Sequence, residues 1–151
     1  MATSAGTPAR IHLKGSGRID EAHAAGVVRP GHLLRLNIDG DVVPHNIVLG
    51  QAERMFALED ALQGRTIATN YTSGERVSIV IANPGDEIYA WLAVGESVVP
   101  GDFLASDGFG HLVAADESGL TSNVDVIAVA LETLDNSESG DVNARIKVRV
   151  L

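Results

Sequence analysis

Turn-forming residues interrupt this chain so often that no long element fits between them. Gly15-Ser16-Gly17, Pro30-Gly31, Asp39-Gly40, Ser73-Gly74, Asn83-Pro84-Gly85-Asp86, Pro100-Gly101, Asp107-Gly108, Ser118-Gly119 and Ser139-Gly140 recur along its 151 residues, many at spacings of about 8–12 residues. Glycine supplies the positive φ of tight turns, and proline presets φ at a turn's first corner. The segments between are rich in β-branched residues, which suit a pleated, half-buried surface. This rhythm predicts a mainly β fold, an antiparallel β-barrel or sandwich. Aromatics are 4% of the chain while 45% of it is apolar, so the core must be built from Val, Ile, Leu and Ala.

The clearest strand lies over 142–151, where Val142, Ala144, Ile146, Val148 and Val150 alternate with Asn143, Arg145, Lys147 and Arg149. Period-two alternation means one buried face and one wet face. Runs 77–82 and 124–133 are almost continuously apolar and read as strands covered on both faces. Over 87–94, Ile88, Ala90, Leu92 and Val94 share one side, and Tyr89, Trp91 and Ala93 the other. Two apolar faces on one strand require a cover for each.

Only 51–63 reads as a helix. Ala52, Met55, Phe56 and Leu62 form a stripe, and Gly64 is a natural stop. The first nine residues are small and polar and read as a flexible arm. The expected organisation is an N-terminal arm over 1–14 and a single β domain over 15–151.

A short repeat is visible. Val27-Val28-Arg29-Pro30-Gly31-His32-Leu33-Leu34 is echoed by Val98-Val99-Pro100-Gly101-Asp102-Phe103-Leu104, and each copy precedes an Asp-Gly turn, Asp39-Gly40 or Asp107-Gly108. It reads either as a repeated strand–turn–strand–hairpin unit or as turn chemistry that any β-barrel reuses.

Charge is unevenly placed. The formal net charge is −9, yet residues 1–40 hold five cations (Arg10, Lys14, Arg18, Arg29, Arg35) against three acids (Asp20, Glu21, Asp39), and no Lys or Arg occurs between Arg76 and Arg145. A long acidic surface disfavours non-specific nucleic-acid binding. No run approaches the ~20 apolar residues of a membrane span, and residues 1–10 lack the apolar stretch of a signal peptide. The expectation is a soluble chain made in the cytoplasm, with neither nucleic acid nor membrane as partner. Without cysteine, disulfides, thiolate catalysis and Cys-based zinc sites drop out.

Motifs for chemistry are equally sparse. His12, His23, His32, His45 and His111 show no metal-ligand spacing. Asp102, Asp107 and Asp116 do not follow a calcium-loop pattern and read as solvated turn acids. There is no G-x-S-x-G elbow, and Gly15-Ser16-Gly17 lacks the third glycine and the helix of a phosphate cradle. These readings predict no enzyme, no cofactor and no metal. Trp91, the sole tryptophan, fits the core by default; with Tyr89 it also makes a candidate oligomer contact.

From residue 50 onward, a series of blocks resembles the head decoration, or capsid cement, proteins of tailed phages. The blocks are Glu53-Arg54-Met55-Phe56-Ala57-Leu58-Glu59-Asp60-Ala61-Leu62-Gln63-Gly64, Tyr71-Thr72-Ser73-Gly74-Glu75-Arg76-Val77 and Asn83-Pro84-Gly85-Asp86-Glu87-Ile88-Tyr89-Ala90. They continue with Val99-Pro100-Gly101-Asp102-Phe103-Leu104-Ala105-Ser106-Asp107-Gly108, Ile127-Ala128-Val129-Ala130-Leu131-Glu132-Thr133 and Ala144-Arg145-Ile146-Lys147-Val148. Their shared order carries the likeness more than any one block. The resemblance implies a β-barrel that forms a homotrimer, binds the major capsid protein on the capsid exterior and stabilises the expanded head. It makes Arg10, Ile11, His12, Leu13 and Lys14 a candidate capsid-binding arm that orders on contact. With Arg18 and Arg29 these form a basic face toward the shell. Two other classes share such turns: small β-clip or biotinyl/lipoyl-like binding domains, and trimeric β enzymes with an interface site. The carrier class needs a lysine at a hairpin tip, and only Lys14 and Lys147 are present.

Overall fold

The computed structural model describes residues 7–115, 124–138, 140 and 142–151. Residues 1–6, most of the expected arm, lie outside the described residues, as do Asp116, Ser118-Gly119 and Ser139. The fold is mainly β. Its strands among the described residues are β1 (His12–Lys14), β2 (Arg18–His23), β3 (Leu34–Leu36), β4 (Val42–Pro44), β5 (Met55–Ala57), β6 (Arg76–Ile81), β7 (Glu87–Leu92), β8 (Ser97–Val98), β9 (Phe103–Ser106), β10 (Leu112–Ala114), β11 (Ala128–Ala130), β12 (Leu134–Asp135) and β13 (Ala144–Val150).

The second half of the chain closes a five-stranded barrel in the order β7-β10-β9-β11-β13, because β13 pairs back onto β7 from Ala144↔Leu92 to Arg149↔Glu87. One pair, β7–β10, is parallel, so the barrel is mixed rather than purely antiparallel. Ile88, Ala90, Leu92, Leu104, Leu112, Ile146 and Val148 are at most 1% exposed and belong to its core. The alternation over 142–151 delivers Ile146, Val148 and Val150 to that core and Arg149 to solvent.

The first half builds the same ring. β2 pairs with β6 and β6 with β5; single bridges Leu33↔Phe56 and Ala24↔Val42, the latter parallel, join them to the β3–β4 hairpin. The strand order β2-β4-β3-β5-β6 repeats β7-β10-β9-β11-β13. Its smaller core holds Val28, Leu34, Val42, Met55, Ala57, Tyr71, Val77 and Ile79. The Tyr71 hydroxyl donates to the Leu58 carbonyl at 2.6 Å, so the one large polar atom in that core is satisfied.

The repeat extends well beyond the segments legible in the sequence. In both turns Gly31 and Gly101 take φ of +97° and +96°, which a side chain adopts only with strain. His32 N–H donates to the Arg29 carbonyl at 3.0 Å, and Asp102 N–H to the Val99 carbonyl at 3.1 Å. His32 Nδ1 accepts from Arg29 N–H at 3.2 Å, and Asp102 Oδ2 from Val99 N–H at 3.0 Å. Gly31 N–H reaches the Ala57 carbonyl at 2.8 Å, and Gly101 N–H the Ala130 carbonyl at 2.9 Å. The hairpins match as well: Asn37 Oδ1 accepts from Asp39 and Asp41 N–H, and Asp107 Oδ1 from Phe109 and His111 N–H. Asn37–Gly40 therefore corresponds to Asp107–Gly110, two residues from the Asp-Gly alignment of the sequence. The reading of a repeated unit holds.

Three sequence expectations change. The helix over 51–63 is absent: β5 occupies its centre, and only a 3-10 turn, Ala61–Gln63, follows, ended by Gly64 in the left-handed conformation. Met55, Phe56, Ala57 and Leu58 are all buried in succession. A surface helix cannot bury consecutive residues, whereas a strand with a core on each side can. The end of the expected arm is also ordered. Ile11 is 0% exposed in the larger core, and β1 pairs with β7 through His12↔Ile88 and Lys14↔Glu87. The apolar run 124–133 supplies only β11 as a strand.

Candidate functional site

The two barrels meet in a seam that gathers side chains scattered in the sequence. Pro30 and Gly31 are buried against β7 and β13. The Pro30 carbonyl accepts from Trp91 Nε1 at 2.9 Å and from Arg145 Nε and Nη2 at 3.2 and 3.0 Å. The Arg145 guanidinium lies 4.2 Å over the Trp91 ring, a cation–π arrangement that holds both donors on one acceptor. A Cβ at Gly31 would stand 2.9 Å from the Tyr89 carbonyl, so only glycine fits. Both faces of β7 are thus covered, one by its own barrel and the other by the turn of the first half.

Beside this lies a cluster of histidines. The His32 and His111 rings meet edge-on at 5.3 Å, each within 6.5 Å of Trp91. His111 Nδ1 is 2.8 Å from Asp107 Oδ2. Burial alone would raise Asp107, but the hydrogen bonds from His111 and from the Phe109 N–H hold its carboxyl below the usual range. His45, 2% exposed, has Nε2 2.8 Å from the Gln51 carbonyl and Nδ1 2.7 Å from Ser106 Oγ. The carbonyl requires a proton on Nε2, so Nδ1 accepts from Ser106, whose Oγ accepts from Gly108 N–H at 3.1 Å. Every member of this Ser–His pair is satisfied and Ser106 is fully buried, so the pair is a cross-barrel tie rather than a nucleophile. A second tie is bidentate: Arg54 Nη1 and Nη2 bind Asp125 Oδ2 and Oδ1 at 2.6 and 3.0 Å.

His32 is the acid-sensitive part of the seam. Desolvation, with the nearby positive potential of His111, pushes it from 6.5 down to about 3. A base with depressed folded-state proton affinity is protonated first in the unfolded chain. Its contribution is intact above about pH 6.5 and is lost as pH falls toward about 3. His32→Asn retains an acceptor where Asp102 serves the other turn. The urea midpoint of this variant is expected to fall less between pH 6.5 and pH 4 than that of the native chain; parallel curves would remove His32 as the cause.

The sequence-derived contact residues are dispersed. Arg10 and Arg29 are exposed. Ile11 is in the core, and His12 is largely covered, its Nε2 3.5 Å from Asp86 Oδ2. Leu13 is half-buried. Lys14 pairs with Glu87 at 3.8 Å and Arg18 with Asp20 at 3.3 Å. Arg10 and His12 line a groove of about 760 Å³ together with Ile19, Glu21, Leu62 and Arg76; Arg29 instead flanks the Pro30-Gly31 turn. Trp91, through Nε1, and Tyr89, through its backbone carbonyl, lie against the Pro30-Gly31 turn at the contact between the two halves. The seam role of these histidines escaped the sequence reading because His32, His111 and Trp91 meet only across the two halves, as do His45 and Ser106; aligning His32 with Asp102 was the available signal. Among the described residues there is no group of three or more His, Asp or Glu side chains placed to hold a metal ion, and no helix is long and apolar enough to cross a membrane.

No family model matches the chain, and no curated protein matches it. Among solved structures, the crystal structure of the head fiber gp8.5 N base in bacteriophage phi29 is similar in fold. The TM-score is 0.55 at 13% sequence identity, over 90% of this chain and 95% of that one. At that identity the likeness is one of fold.

Proposed function

We propose that this protein is a structural component of a tailed-phage head: a decoration protein, homotrimeric, that contacts the major capsid protein on the capsid exterior and stabilises the expanded shell. The observation that carries this reading is the shared fold with a phage head-fiber base along nearly the full length of both chains. The ordered sequence blocks from residue 50 onward, which resemble head decoration proteins, support it. The mechanism is mass action. A protein that binds only the expanded lattice stabilises it by RT ln(1 + [L]/Kd) per site, and no bond is made or broken. The reading has no place for a cofactor, nucleic acid or membrane, and has the chain synthesised in the host cytoplasm and carried on the virion.

Capsid contact falls to the exposed cations of the first half, chiefly Arg10, Lys14 and Arg29, while the acidic second half faces solvent. Lys14 and Arg18 already have carboxylate neighbours, so Arg10 and Arg29 are the sharper probes. Co-sedimentation with expanded, undecorated heads is expected to show saturable binding. That binding should weaken as salt rises from about 0.05 to about 0.5 M, and weaken further in Arg10→Glu and Arg29→Glu. A full-length chain that ignores such heads sinks the reading. Binding that is indifferent to salt and to both substitutions moves the contact elsewhere.

A further inference from the structure

The two halves of the chain meet through a one-way contact. The first half offers the Pro30-Gly31 turn, with Leu33 and Phe56 beside it, all buried. The second half receives the turn with Trp91 and Arg145 and lays its 107–110 hairpin alongside: Leu33 N–H donates to the Gly110 carbonyl at 2.9 Å, and Gly110 N–H to the His45 carbonyl at 3.1 Å. Among the described residues, nothing in this contact is reciprocal. Because both halves carry the same parts, one offering surface and one receiving surface stay unused.

The unused offering surface belongs to the second half. Val99, Pro100 and Gly101 are exposed, and Phe103 and Val129, the counterparts of Leu33 and Phe56, are only half-buried. The unused receiving surface belongs to the first half. His23 pairs with Arg76 as Trp91 pairs with Arg145; both are exposed, and Arg76 Nη1 lies 3.5 Å from Glu21 Oε1. The 37–40 hairpin stands where 107–110 stands in the second half. Ile38 is 99% exposed, and Gly40 has nothing within 4 Å of a Cβ position, whereas its counterpart Gly110 packs against Pro44 and His32.

We infer that a second copy of this chain docks head-to-tail across these two surfaces. The Pro100-Gly101 turn of one chain seats on His23 and Arg76 of the next, whose ring N–H and guanidinium take the Pro100 carbonyl as Trp91 and Arg145 take that of Pro30. The 37–40 hairpin of that next chain covers Phe103 and Ala114. Charge divides: the Pro100-Gly101 turn lies in the stretch without Lys or Arg and meets Arg76, whereas Asp41, the counterpart of His111, comes beside Asp102, the counterpart of His32. A heterologous contact propagates until the rotation closes a ring, and the proposed homotrimer is that closed form. The inference rests on the self-association in the proposed function, not on capsid binding.

The test is made without capsids, in a chain that has no cysteine of its own. Within one chain a Cβ on Gly110 would fall 2.9 Å from Pro44 Cβ, so the equivalent pair between chains is Gly40 with Ala114. Mixed under oxidising conditions, Gly40→Cys and Ala114→Cys are expected to give a disulfide-linked dimer, and each alone to give none. In light scattering, Arg76→Glu and Ala114→Arg are each expected to weaken self-association by about tenfold or more, with unfolding midpoints unchanged in dilute solution. A native chain that stays monomeric at high concentration overturns the inference. So does an oligomer that resists both substitutions, or a cross-link formed by either cysteine variant alone. Intact self-association with no head binding instead removes the capsid reading and leaves this one standing.

Discussion

Changing Asp86 to alanine is expected to lower the unfolding free energy by about 2–4 kcal/mol, because it removes three charge-assisted hydrogen bonds to one buried carboxylate. Asp86 is 3% exposed. Its carboxylate accepts from the backbone N–H groups of Ser16, Gly17 and Asn83 at 3.3, 2.9 and 3.1 Å. It therefore ties the β1–β2 turn to the β6–β7 turn, where the first barrel passes into the second. Alanine leaves the three N–H groups without the carboxylate that orders both turns, although Ser16 and Asn83 are themselves exposed. Asparagine keeps one oxygen and is expected to cost roughly half as much. Guanidinium unfolding at pH 7 reads both variants, and an alanine cost below about 1 kcal/mol would show that water enters the turn and satisfies it.

The second large effect separates two positions that share one place in the repeat. Phe56 pairs with Val80 on β6, and Val129 with Arg149 on β13. Phe56 is fully buried between the barrels, while Val129 is half-buried at the surface. Phe56→Ala is expected to cost about 3–5 kcal/mol, transfer and cavity terms together, and Val129→Ala about 1 kcal/mol in the dilute chain. The same denaturant series decides it. Equal costs at both positions would mean that the seam between the halves is not the one-way contact described above.

The strand content of this fold was legible because period-two alternation and Pro-Gly punctuation act over a few residues. The strands Ala144–Val150 and Glu87–Leu92 follow from those local rules, which overran their ends, since Val142 and Val94 are exposed. The 51–63 segment did not. Its helix-forming residues are overridden by tertiary burial, since four consecutive side chains are claimed by cores on either side. The extent of the duplication was hidden for a different reason. Backbone ladders constrain register but not identity, so His32 can stand for Asp102 and Asn37 for Asp107 while only the turns remain recognisable. The seam could not be read in advance, because Trp91, Arg145 and Pro30 meet only after both barrels close. Ile11 looked like part of an arm for want of any local sign that it completes a core.

Carrying both barrels on one polypeptide has a kinetic consequence for assembly. The seam inside the chain forms at an effective molarity set by the short β6–β7 connection, in the millimolar range typical of such tethers, and is indifferent to dilution. In a closed head-to-tail ring half of the seams are of this kind. Only the remaining half depend on encounters between molecules, so the concentration at which rings appear is governed by the Pro100-Gly101 turn meeting Arg76. Early in synthesis, when protein is scarce, the chain would accumulate as folded single units. It would close into rings at a concentration set by that one contact and lower than its pairwise dissociation constant, because the last contact of a ring is made within the assembly.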